Sequence, residues 1–296
     1  MQQPSPTLEG QRLAFIGLGV MGYPMAGHLR RHGASVAVYN RTPGKALAWT
    51  EDYQGTAHTT PRGAAAEAAI VFLCVGNDDD VRSVVYGDDG VLAGMAPGTL
   101  LVDHTTASAE LAEELGAACA ENDIGFLDAP VSGGQAGAVN GALTIMVGGQ
   151  EADFQRGRAV MEVYAKEIRR MGGVGAGQVT KMVNQICIAG ILQGLAEGVA
   201  FAEKAGLDVG EVVGVISQGA AQSWQMNNRA HTMAKNEFDF GFAVDWMRKD
   251  LGIALDKARG LGVSLPLTAL VDQFYGDVQR MGGGRNDTSS LIRRLR

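Results

Sequence analysis

Short runs of β-branched, aliphatic and aromatic residues punctuate the first part of the chain: Leu13 to Ile16, Val36 to Tyr39, Ile70 to Val75, Leu100 to Asp103, Gly125 to Leu127 and Thr144 to Val147. Segments of helical period separate them, so the pattern predicts βαβ units and a parallel sheet. After Gly172-Gly173-Val174-Gly175-Ala176-Gly177 the strand signals stop. Gln178 to Lys204 then keeps a helical period too apolar for a surface helix, and further helices are predicted at about Val209 to Ser217, Ala243 to Arg259 and Pro266 to Arg280. The expectation is an α/β chain of two domains. Residues 1–173 form a doubly wound parallel sheet, and residues 174–296 form an all-α domain that begins with the long connecting helix.

The end of the first predicted strand carries the first chemistry. Gly17-Leu18-Gly19-Val20-Met21-Gly22 follows an apolar strand and opens a helix that reaches about His32, before a second strand ending at Tyr39. This is the context in which a GxGxxG loop holds a dinucleotide, and it makes the first domain Rossmann-type. Gly17 permits the tight turn, Gly19 lets backbone approach a pyrophosphate, and Gly22 lets helix pack on strand. The helix N-terminus presents unpaired N–H groups to the anion.

The residues closing the second strand bear on which coenzyme binds. A site for NAD(H) places Asp or Glu there to accept from the ribose 2′-hydroxyl; this chain has Asn40-Arg41-Thr42. Arg41 can pair with a 2′-phosphate, and Asn40 and Thr42 can add neutral hydrogen bonds, so NADP(H) is expected in preference to NAD(H). The plainer reading of Arg41 is a solvated turn residue before Pro43.

Composition narrows the partners. With 25 basic against 32 acidic residues, net charge −7, there is no basic stripe for a nucleic acid. Cys74, Cys119 and Cys187 show no CxxC spacing, and the five histidines, His28, His32, His58, His104 and His231, show no ligand spacing, so neither a disulfide framework nor a metal site is expected. Met1 to Gly10 reads as a short polar tail, and no apolar run reaches the roughly 18 residues of a membrane span. A cytoplasmic protein without membrane attachment is expected, assembled as a homodimer or homotetramer.

Two further segments suggest a reaction. In Leu127-Asp128-Ala129-Pro130-Val131-Ser132-Gly133-Gly134 a strand runs into a small-residue turn, where the Ser132 hydroxyl and the N–H groups of Gly133 and Gly134 can converge on a carboxylate. In the long helix, Lys181 and Asn184 share one face, about 5 to 6 Å apart at Cβ, beside Met182, Val183 and Ile186. A lysine in partly dry surroundings can give a proton to a carbonyl oxygen or take it back. A lysine snorkelling from a buried helix would look the same. Lys249, in Arg248-Lys249-Asp250, reads on its own as part of a solvated charge run. Gly219 to Asn227, with Trp224, reads equally as pocket wall or ordinary core.

Taken together these segments resemble the β-hydroxyacid dehydrogenase family, over nearly the whole chain. Gly-Leu-Gly-x-Met-Gly stands at Gly17 to Gly22, Asp-Ala-Pro-Val-Ser-Gly-Gly at Asp128 to Gly134, Lys-x-x-Asn at Lys181 and Asn184, and Lys-Asp at Lys249 and Asp250. The resemblance implies that the first motif supports the coenzyme and that Ser132, Gly133 and Gly134 hold a substrate carboxylate. It further implies Lys181 as acid/base, Asn184 as its neighbour at the substrate, and Lys249 against nicotinamide and substrate. The sequence departs from the family pattern at His28, where Asn is common, at Val75-Gly76-Asn77, the expected adenosine-side loop, and at Asp103-His104-Thr105-Thr106, where Thr106 is expected beside the nicotinamide ribose. The implied reaction is hydride transfer between NADP(H) and a short 3-hydroxy acid or semialdehyde. An imine reductase and a non-catalytic coenzyme-binding module are the alternatives.

Overall fold

The central strands form because their runs are apolar on both faces, as strands covered by helices on each side must be. The structure, a computed structural model, describes residues 7–296; the part of the expected tail from Met1 to Pro6 lies outside them. Among the described residues nine strands form one sheet: β1 (Arg12–Ile16), β2 (Ser35–Tyr39), β3 (Thr56–Ala57), β4 (Ile70–Leu73), β5 (Leu100–Asp103), β6 (Gly125–Asp128), β7 (Val131–Ser132), β8 (Leu143–Gly149) and β9 (Ala165–Gly172). Their order is β3-β2-β1-β4-β5-β6-β8-β7, with β9 on β8. Pairing is parallel from β3 to β6. The first half therefore has the expected doubly wound Rossmann-type arrangement, and two apolar layers cover the two faces of the sheet.

The expectation of a wholly parallel sheet is corrected at its far end. β8 runs antiparallel to β6 and β7, and only β9 returns to the parallel sense. Three strands were not anticipated. β3 and β7 are two residues each, too short to show a period. β9 is Ala-Lys-Glu-Ile-Arg-Arg-Met-Gly, an edge strand whose charges hide its alternation.

By its internal contacts the chain divides into two units, Met1–Lys181 and Met182–Arg296. The second holds its own apolar core, including Leu192, Met226, Met247, Leu251, Val271 and Tyr275. Its helices Val209–Ile216, Val244–Leu261 and Pro266–Arg280 fall where the period predicts them. A further helix, Trp224–Ala234, was missed because only Met226, Ala230 and Met233 mark its buried face. It corrects the reading of Trp224 as core or pocket wall: Ser223 caps this helix through Oγ, and Trp224 is exposed beneath the Arg229 guanidinium.

The long helix runs from Ala176 to Lys204. It contains an 18-residue window of mean hydropathy 1.5, so the expectation that no stretch is long and apolar enough to span a bilayer is also corrected. In this structure 44% of that window is buried, Gln185 and Gln193 are buried with it, and Val183, Ile191 and Phe201 are exposed.

Candidate active site

The glycine loop is shaped by contacts that no side chain could share. Gly17 sits at φ +97°, and a Cβ there would strike the Cys74 carbonyl. A Cβ on Gly22 would collide with the Gly17 carbonyl and the Phe15 ring, so the helix Gly22–Arg31 packs against β1 at glycine distance. Around Gly19 the opposite holds: nothing lies within 4 Å of where its Cβ would be. Val20 is 61% exposed, and Met21, before the helix, provides no side-chain cap. A loop that is tight on the protein side and open on the other, with no side-chain cap at the helix start, fits a dinucleotide pyrophosphate.

Asn40, at the end of β2, is occupied with the loop itself. Its Oδ1 accepts from Leu18 N–H at 2.8 Å, and its Nδ2 donates to the Thr42 carbonyl at 3.1 Å. Arg41 points outward, 81% exposed at its side chain, and pairs with Asp80 at 2.8 Å. Asp80 lies in the first turn of the helix Asp78–Val85, which Asn77 caps by accepting from Asp80 N–H at 2.8 Å. The Asn77 side chain is thus committed to the helix end. Val75 N–H donates to Thr105 Oγ1 at 3.1 Å, which joins the loop after β4 to the turn after β5. Val75, Gly76 and Thr106 are all half-buried.

Beyond β5 and β6 the strand ends hold a buried polar cluster that local sequence spacing does not reveal. Asp103 and Asp128 are register partners, and both are sealed from solvent. Burial pushes the Asp103 carboxyl up to about 7, against the hydrogen bonds from Thr105, and the Asp128 carboxyl up to about 6, against backbone N–H donors. His104 must donate from Nδ1, because its partner at 2.6 Å is the Ala129 carbonyl; Nε2 therefore accepts from the Tyr164 hydroxyl at 2.9 Å. Burial lowers its pKa to about 4, so it is the neutral form that ties the two strand ends together.

The Ser132 turn follows directly. Gly133 and Gly134 adopt φ +131° and +60°, conformations open to glycine, and no atom lies within 4 Å of a Cβ on Gly134. Ser132 and Gly134 are half-buried and Gly133 is exposed. His28, where the family pattern often has Asn, reaches the short helix Gly134–Val139 that follows: its Nε2 lies 3.0 Å from the carbonyls of Ala138 and Val139. The helix from the glycine loop and the segment after the Ser-Gly-Gly turn are thereby linked.

Lys181 is buried, 7% exposed, three residues after Gln178 on the long helix, and Asn184 follows it on the same face. In the second unit, Asn184 Nδ2 donates to Gln185 Oε1 at 2.8 Å, Gln185 Nε2 donates to Asp250 Oδ2 at 2.7 Å, and Lys249 Nζ lies 3.2 Å from Asp250 Oδ1. Asn184 and Lys249 are thus joined through two buried side chains. The reading of Arg248 to Asp250 as a solvated charge run is corrected. Arg248 is bidentate to Asp272, Lys249 is half-buried near Trp246, and Asp250 is sealed in the core.

This geometry has matches in known proteins. Residues 12–173 match the family described as the NAD binding domain of 6-phosphogluconate dehydrogenase. Residues 175–295 match the one described as the NAD-binding domain of NADP-dependent 3-hydroxyisobutyrate dehydrogenase. An uncharacterized oxidoreductase of Shewanella frigidimarina is 61% identical over 284 residues, 96% of this chain and 98% of that protein. The 2-hydroxy-3-oxopropionate reductase of Escherichia coli is 34% identical, over 96% of this chain and 97% of its own. A solved structure of 3-hydroxyisobutyrate dehydrogenase from Mycobacterium tuberculosis, with L-serine, superposes with a TM-score of 0.87 at 32% identity, covering 97% of this chain and 99% of that one. Fold, loop and matches define a nicotinamide-dependent oxidoreductase. The chain belongs to the β-hydroxyacid dehydrogenase family, as an NAD(P)-dependent hydroxyacid dehydrogenase of the 3-hydroxyisobutyrate dehydrogenase type.

Proposed function

We propose that this protein interconverts a short 3-hydroxy acid and its semialdehyde, with NADP(H) as the preferred coenzyme and Lys181 as the general acid/base. The observation that carries the reading is the burial of the Lys181 amine-bearing side chain on one helix face with Asn184. Removed from bulk water, the amine can protonate the carbonyl oxygen in reduction and take the proton back in oxidation. Asn184 holds the substrate oxygen beside it. Ser132 and the N–H groups of Gly133 and Gly134 receive the substrate carboxylate, which fixes the reacting carbon. By the family resemblance, Lys249 would add a second positive group for the substrate. When bound, the coenzyme supplies or accepts the hydride. The relative that reduces 2-hydroxy-3-oxopropionate supports a small semialdehyde acid as substrate. No specific observation favours imine reduction or a non-catalytic module.

The test is a screen of NADPH oxidation over succinic, tartronic and methylmalonic semialdehydes, glyoxylate and cyclic imines, with oxidation of 3-hydroxyisobutyrate and serine in reverse. A short semialdehyde should give the highest kcat/KM; turnover confined to imines would refute the reading. Lys181→Ala should lower kcat by about 10²- to 10⁴-fold with coenzyme affinity kept, and retained turnover would move the acid/base elsewhere. Exposed Val183, Ile191 and Phe201 on the long helix support a homodimer or homotetramer, which sedimentation of the purified protein checks.

A further inference from the structure

Asp128 ends β6 with both carboxylate oxygens engaged by one element. Oδ1 accepts from Gly175 N–H and Oδ2 from Gln178 N–H, each at 2.8 Å. Gln178 lies in the first turn of the helix that carries Lys181, and Gly175 immediately precedes it. Amides at such a helix start have no intrahelical acceptor, and a carboxylate is the partner their dipole favours. The fit is close: a Cβ on Gly177 would stand 2.6 Å from the Asp128 carbonyl and 2.5 Å from that of Met146. The Gln178 side chain adds a second strap, with Oε1 accepting from Ala107 N–H at 3.1 Å and Nε2 donating to the Thr105 carbonyl at 2.8 Å. Both straps are buried. An α-helix is stiff over one turn, so a displacement at Gln178 is passed on to Lys181 three residues later.

We propose that Asp128 and Gln178 are positioning residues that fix where the Lys181 amine stands, so that turnover depends on them and coenzyme binding does not. The inference rests on the reading of Lys181 as acid/base. Asp128→Asn keeps the size but sets an amide N–H against one of the two backbone donors, which moves the helix start. A misplacement of about 1 Å can cost about 10²-fold in rate.

The experiment is a double-mutant cycle on the purified full chain with Asp128→Asn, Lys181→Met and the pair, reading kcat, NADPH Kd by fluorescence, and Tm. The expected result is a fall in kcat of about 10²-fold for Asp128→Asn, NADPH Kd within about twofold of wild type, and a double variant no slower than Lys181→Met alone. Losses that multiply in the double variant, or wild-type turnover in Asp128→Asn while Lys181→Met is inactive, would overturn the positioning role and leave the Lys181 reading intact. Wild-type turnover in Lys181→Met would refute both. Should Asp128→Asn fail to fold, Gln178→Met, which cuts the second strap, enters the same cycle with the same outcomes.

Discussion

Two regions of the nucleotide-binding half solve opposite problems. At the ends of β5 and β6, the buried groups Asp103, His104, Asp128 and Gln178 all have partners, and Gly148 and Gly177 leave no room for a methyl group. At the end of β2, Arg41 is exposed and its partner Asp80 is itself within reach of water. The first region is over-determined; the second can change at small structural cost. On the reading proposed above, selectivity for the coenzyme's 2′ substituent would rest on the exposed Arg41 and its partner Asp80, where a substitution disturbs little else.

The contrast breaks most sharply at Gly177. Gly177→Ala forces a methyl group onto two backbone carbonyls and an Asp128 oxygen, so a stability loss of about 3 kcal/mol is expected. Thermal denaturation checks it, and a Tm within a degree of wild type would show the seat to be looser than described. Arg41→Ala comes next. It should raise the KM for NADPH by about tenfold or more, the worth of a charge-assisted hydrogen bond, with the NADH constants unchanged. Equal loss with both coenzymes would place Arg41 outside selectivity.

Asp80→Asn sharpens the same point from the other partner. It frees Arg41 and removes a negative charge, so the NADPH over NADH ratio of kcat/KM should rise by about two- to fivefold, the scale of an exposed ion pair. A falling ratio would mean that Asp80 holds Arg41 in its productive place. A pH-dependent effect is expected at Asp103. Because its folded pKa is raised to about 7, the folded state binds the extra proton between the unfolded carboxylate value near 4 and pH 7. Its contribution to stability is full below that window and is lost as pH rises through it. Asp103→Asn should flatten the fall in Tm between pH 5 and 8, and an unchanged slope would assign the fall to other groups.

Much of this was legible in the sequence wherever the information is local. The glycine loop is a spacing within a few residues, and the close contacts at Gly17 and Gly22 need glycine there; Asn40-Arg41-Thr42 and the Lys181–Asn184 face are equally local spacings, whose roles belong to the proposed function. The Asp128 strap was not legible, because its partners stand 47 and 50 residues away and a strand-ending aspartate before Ala-Pro looks like a turn. The one available signal was a carboxylate closing the apolar run Phe126-Leu127. His104 was visible as a departure from the family pattern but not as a bridge to Ala129 and Tyr164, which lie 25 and 60 residues on. Arg248 to Asp250 misled for a related reason: a charge run is solvated unless a distant element supplies its partners, as Asp272 and Gln185 do here.

The sheet's two lateral borders deter polymerisation by different means. β3 offers two residues, too short a template for another chain to extend. β9 is eight residues long but carries Lys166, Glu167, Arg169 and Arg170, so an incoming strand would have to strand charges of both signs. Brevity on one flank and electrostatics on the other are the two features of this sheet that would oppose edge-to-edge pairing with a second copy.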